Sequence, residues 1–184
     1  MPHTGLQKYK KNVYFKITIM KTLKKITILS LIILSFFANN VAAQEMVSYT
    51  WSDYKTQFNI PKSFTVQQND NTIFSAGSDN INLTIYPRKD EKMLEDNMSG
   101  NLRTWSKSNE LKNLGEVTEL DETKLNGYWG VFQEGETKDG YQVFVMLIID
   151  PDYTDTGFYV WLSYSEGNED ACLKILQSFT PLEY

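Results

Sequence analysis

The chain has 184 residues, a net charge of −5, 14% aromatic side chains, one cysteine and one histidine. The aromatic content excludes a disordered chain. A lone cysteine excludes an internal disulfide, thiolate zinc sites and iron–sulfur clusters.

The first forty-three residues read as a leader. Met20-Lys21-Thr22-Leu23-Lys24-Lys25 is a short basic segment, and Ile26 to Phe37 is an apolar run broken only by Thr27, Ser30 and Ser35. Ala38 to Ala43 follows, with Val41 and Ala43 at the two positions a signal peptidase reads. That is the order of a cleavable secretory signal over residues 20–43, with cleavage expected after Ala43. The apolar run is about a dozen residues long, whereas a spanning helix needs about twenty, so an uncleaved anchor is the weaker alternative and no membrane span is expected in the mature form. Residues 1–19, basic through Lys8, Lys10, Lys11 and Lys16, are read as an upstream start preceding a true start at Met20; an extended n-region is the alternative. No cysteine lies near the cleavage point, which excludes lipid attachment there. The expected location is the periplasm or the exterior of the cell.

Cleavage leaves Gln44 to Tyr184, the usual size of one domain. It removes the only histidine, His3, and seven of the 18 basic residues but none of the 23 acidic ones, so the mature net charge is 11 minus 23, or −12. Such a charge repels phosphates, and nucleic acid is not an expected partner.

The mature chain opens on short strands: Tyr49 to Trp51, Phe58 to Pro61, Phe64 to Val66 and Thr72 to Ala76. After the turn Gly77-Ser78-Asp79-Asn80, Ile81, Leu83 and Ile85 alternate with Asn82 and Thr84 in a half-buried strand that ends at Pro87. Asp90 is placed to cap a helix from Glu91 to about Asn109, whose stripe is Leu94, Met98, Leu102 and Trp105. Gly100 lies within it and weakens it by about 1 kcal/mol, which leaves room for a kink or a break there. A meander follows: Glu116 to Leu120, Tyr128 to Gln133, Tyr141 to Ile149 and Phe158 to Tyr164. The third of these is apolar on both faces, which predicts a central strand covered on both sides. Asn168 is placed to cap a last helix with the stripe Ala171, Cys172, Ile175, Leu176 and Phe179, where Cys172 reads as an inert buried thiol. The order predicts an α+β fold, a mainly antiparallel sheet with helices packed on it.

Without histidine, Ser–His–Asp and Cys–His nucleophilic sites and imidazole zinc sites are closed to the mature domain. Gly127-Tyr128-Trp129-Gly130 lacks the lysine and spacing of a phosphate loop, and no cofactor is expected. Carboxylate chemistry stays open, and a small glycosidase-type hydrolase is the alternative to a non-enzymatic reading. The loop after the central strand groups Asp150, Asp152 and Asp155 and is a weak calcium candidate. Thr154 stands where the third acidic ligand belongs and the terminal glutamate is absent, so a solvated loop is preferred and no metal is expected. Tyr128, Trp129, Tyr159 and Trp161 are the candidate ligand or partner surface. Trp129 and Trp161 form a platform for a sugar, peptide or protein if they share an exposed face, and a helix covering them is the preferred expectation.

The segments Phe58-Asn59-Ile60-Pro61-Lys62-Ser63-Phe64 and Ile175-Leu176-Gln177-Ser178-Phe179 resemble the "F-x-I-P-x-x-F" and "I-L-x-S-F" packing signatures of the PsbP-like superfamily. The resemblance covers nearly all of residues 44–184. It implies an α-β-α sandwich and a binding or accessory role without shared catalytic machinery. Members include a photosystem II extrinsic subunit, a Ran-binding import factor and bacterial envelope proteins. For this chain it implies an unknown envelope protein or a small ligand as partner.

Overall fold

The computed structural model describes residues 44–89, 95–120 and 125–182. The expected leader, the cap Asp90 and the stripe residue Leu94 lie outside the described residues. Among the described residues, ten strands and two α-helices follow in the order β1 (Met46–Trp51), β2 (Thr56–Pro61), β3 (Thr65–Asn69), β4 (Phe74–Gly77), β5 (Ile81–Lys89), α1 (Glu95–Ser108), β6 (Thr118–Leu120), β7 (Trp129–Glu136), β8 (Gln142–Ile149), β9 (Thr156–Tyr164), α2 (Glu169–Leu176) and β10 (Thr180–Pro181). They build a seven-stranded sheet, β3-β4-β5-β9-β8-β7-β6, and a three-stranded sheet, β1-β2-β10. All pairs are antiparallel. The fold is α+β.

The large sheet has a core on each face, and strand alternation distributes the side chains between them. Phe144, Met146 and Ile148 of β8 join Ile81, Leu83 and Ile85 of β5 and Phe158, Val160 and Leu162 of β9 in one core. The small sheet, α2 and the turn after it close it with Trp51, Phe58, Cys172, Ile175, Leu176 and Phe179. On the other face, Val143, Val145, Leu147 and Ile149 pack with Met98 and Leu102 of α1. From Val143 to Ile149 every residue of β8 is buried, as its doubly apolar pattern requires.

Several local expectations are corrected. The helix runs unbroken through Gly100, an exposed position with open space around it, so the missing side chain costs no packing. β5 continues past Pro87 to Lys89 because β4 starts at Phe74, opposite Ile85, leaving one side of the strand beyond it without a ladder that needs the absent N–H. Asn168 sits at the N-cap of α2 without capping it; its Nδ2 donates back to the Ser165 carbonyl at 2.9 Å. α2 ends at Leu176, and Phe179 is buried from the turn beyond. Tyr128 precedes β7 rather than opening it. Asn126 and Gly127 before it take positive φ, 53° and 108°, and its own N–H donates to the Leu125 carbonyl at 3.1 Å.

Candidate functional site

The four aromatic residues singled out in the sequence do not assemble into one surface. Tyr128 is buried in the core beneath the small sheet, where its hydroxyl meets Thr56 Oγ1 at 2.9 Å. Trp129, Tyr159 and Trp161 lie on the opposite face, beneath or beside α1. Trp105 of α1 stacks on Tyr159, with ring centroids 4.7 Å apart at 16°, and meets Trp161 edge-on at 5.8 Å. Trp129 pairs with Ile149 across β7 and β8, whereas Trp161 pairs with Val145 across β9 and β8. The two indoles therefore stand four residues apart along β8 and on opposite sides of it, each half-buried. The helix over them is the arrangement that a sandwich favours.

The Asp150 loop is an Asx turn, in which Asp150 Oδ1 accepts from the Asp152 N–H at 2.9 Å. Partial burial raises the Asp150 pKa above the usual carboxylate value, that hydrogen bond opposes the rise, and the neighbouring charge of Asp152 adds to it. Among the described residues, no three acidic, histidine or cysteine side chains converge as metal ligands. Cys172 is fully buried, and burial together with the charge of Glu169 pushes its thiol up to about 12. At neutral pH it is an inert thiol.

Among the described residues, two concavities bear on function. The first, about 390 Å³, lies between the start of α1 and β6–β7 and is lined by Glu95, Asp96, Glu119 and Trp129 among others. Ser99 Oγ donates to Glu119 Oε1 at 3.1 Å. All three carboxylates are exposed to solvent, whereas the general acid of a glycosidase works from a desolvated site. Among the described residues, no carboxylate is buried anywhere.

The second concavity is a groove of about 710 Å³ at the end of the large sheet, between the starts of β8 and α2. Register builds its wall. Glu134 pairs with Phe144 across β7 and β8, and Tyr164 pairs with Gln142 across β9 and β8, so Glu134, Phe144 and Tyr164 point to one face. Phe144 and Tyr164 are in ring contact at 4.7 Å, and Phe132 continues the row at 5.2 Å from Phe144. Glu166, in the loop after β9, and Glu169, on the first turn of α2, complete an acidic rim, and Tyr141, 55% exposed, stands at one end. Tyr164 is 5% exposed, and among the described residues its hydroxyl has no hydrogen-bond partner. Burial raises its pKa well above the usual phenol value, and the charges of Glu169, Cys172 and Glu134 add to the rise. No lysine or arginine lines the groove.

Sequence reasoning missed this groove. Tyr164, Glu166 and Glu169 lie within six residues and were a usable local signal, an aromatic strand end running into an acidic loop. Glu134 and Phe144 join them only through strand register, which no local pattern encodes.

No family model matches the sequence, and neither does any curated protein. Solved structures do match. The Saccharomyces cerevisiae Ran-binding protein Mog1p aligns at 9% identity with a TM-score of 0.51, covering 77% of this chain and 97% of that one. The cyanobacterial PsbP (CyanoP) of Synechocystis aligns at 14% identity with a TM-score of 0.53, covering 78% of this chain and 96% of that one. At these identities the likeness is one of fold. The chain has a PsbP/Mog1-like α+β fold, as its two packing signatures implied.

Proposed function

We propose that this chain is an exported, non-enzymatic accessory domain that binds a partner in the periplasm or outside the cell. The observation that carries the binding role is the groove at Tyr164: a buried aromatic wall, a hydroxyl left open to the cavity, and three carboxylates at its rim. An open surface of this kind suits docking, and the exposed, scattered carboxylates do not suit hydrolysis. A similar fold in a Ran-binding protein is consistent with a protein as partner. Export rests on the residue order of 20–43.

Purification from the native envelope with reversible crosslinking tests both parts. The expected product is a mature chain that begins at Gln44 and carries a crosslinked partner, and Glu166→Gln/Glu169→Gln weakens the capture. A chain retained in the cytoplasm with an intact leader, or a partner captured equally by the groove variant, would overturn the reading. A glycosidic activity abolished by Glu95→Gln or Glu119→Gln would favour the hydrolase instead.

A further inference from the structure

We infer that the groove between β8, β9 and α2 receives a basic side chain, arginine or lysine, from an exposed extended segment of the partner protein. This inference rests on the binding role proposed above and names the chemistry of its partner.

Three independent features converge on a cation. The rim carries Glu134, Glu166 and Glu169, and among the described residues none of the three is in an ion pair. The wall behind them is formed by the rings of Phe144 and Tyr164. Aromatic faces attract a guanidinium or ammonium group through their quadrupole, most strongly where water is excluded. The third feature is Tyr164, a residue 5% exposed whose hydroxyl opens to solvent in the groove and has no hydrogen-bond partner among the described residues. A hydroxyl at the mouth of a cavity, on a ring held fixed by packing, offers a ligand group an acceptor in a defined position. Kept neutral by its surroundings, it accepts a hydrogen bond from an N–H donor as the carboxylates do.

The size of the groove selects a peptide segment over a free cation. A cavity of about 710 Å³ exceeds one arginine side chain, and Tyr141 extends the apolar surface beyond the acidic rim. A segment with a basic side chain in the groove lays its neighbouring residues across Tyr141. The complete absence of lysine and arginine from the lining leaves nothing of the chain's own to compete for the site.

The test separates this site from the general attraction of an acidic protein. A fluorescein-labelled decapeptide alternating arginine with small polar residues, and its glutamine-for-arginine counterpart, are titrated by anisotropy at about 50 mM salt, where charge attraction is little screened. Three proteins are compared: wild type, the groove triple Glu134→Gln/Glu166→Gln/Glu169→Gln, and a charge-matched control Glu95→Gln/Asp96→Asn/Glu119→Gln in the other cleft. Saturable binding of the arginine peptide is expected, about tenfold weaker in the groove triple and less than about threefold weaker in the control. Tyr164→Phe, which keeps the ring, is expected to weaken binding by about two- to fivefold. Equal weakening by the two triples, absence of saturation, or equal binding of the glutamine peptide would overturn the inference. So would displacement by spermidine at the same concentration as unlabelled peptide, which would make the ligand a free polyamine. If native-partner capture still depends on Glu166 and Glu169 while the arginine peptide does not bind, the inference fails and the proposed function stands.

Discussion

Phe58 and Phe179, one from each of the two sequence signatures, lie 121 positions apart and meet in the core as a stacked pair with centroids 4.9 Å apart at 20°. Both are fully buried. The Asn59 N–H donates to Ser178 Oγ at 2.8 Å, and Asn126 Nδ2 donates to the Phe179 carbonyl at 3.1 Å, so backbone as well as rings join there. Phe58 also meets Phe74 edge-on at 5.0 Å. Replacing either phenylalanine with alanine removes a buried ring and leaves a cavity, a loss of about 3–5 kcal/mol each. A domain of this size has about 5–15 kcal/mol of stability in total, so the double alanine variant is expected to unfold. The cycle is therefore built with leucine, for which each single change costs about 1–2 kcal/mol. The stacked contact adds a coupling of about 0.5–1.5 kcal/mol that both singles lose, so the double variant is less destabilised than the sum of the singles. Urea unfolding followed by tryptophan fluorescence and by circular dichroism measures all four proteins. Additive leucine losses, or an alanine single costing less than about 1 kcal/mol, would refute the idea that the two signatures are one packing unit.

Three further outcomes follow from the structure. Asp70 in the β3–β4 turn accepts from Gln68 Nε2, from the Thr72 hydroxyl and N–H, and from the Ile73 N–H, which lowers its pKa to about 2. Its contribution is present above the ordinary carboxylate pKa near 4 and is lost as pH falls through 2; a carboxyl-carbon NMR titration with a midpoint near 4 would contradict it. Cys172, raised from 9 to about 12, contributes stability below pH 9 that declines as pH climbs toward 12, so Cys172→Ala should flatten the loss of thermal stability over that range. Labelling by a thiol reagent at pH 8 is expected only as fast as the protein unfolds, and rapid labelling of the native state would disprove the burial. Ser106→Ala should cost about 1–3 kcal/mol in urea unfolding, because the buried Ser106 hydroxyl lies 3.1 Å from Gln133 Oε1; a change within about 0.5 kcal/mol would contradict that role.

Much of this architecture was legible from residue order alone. The doubly apolar run from Val143 to Ile149 determined a central strand, because a strand turns successive side chains to opposite faces and both sets here avoid water. Met98, Leu102 and Trp105 determined the buried stripe of α1 by their helical spacing. The absence of histidine from residues 44–184 determined which catalytic chemistries are closed to them. Tertiary structure alone decided that β1 and β2 leave the large sheet to pair with β10, that Tyr128 enters one core while Tyr159 enters the other, and that Trp129 and Trp161 stand apart beneath α1. It also decided that Glu134 and Phe144 join Tyr164, Glu166 and Glu169 around one groove. Periodicity reports which side of its own element a residue faces. Which distant strand lies beside it is settled by long-range register and sheet order, where all the buried faces must be satisfied together.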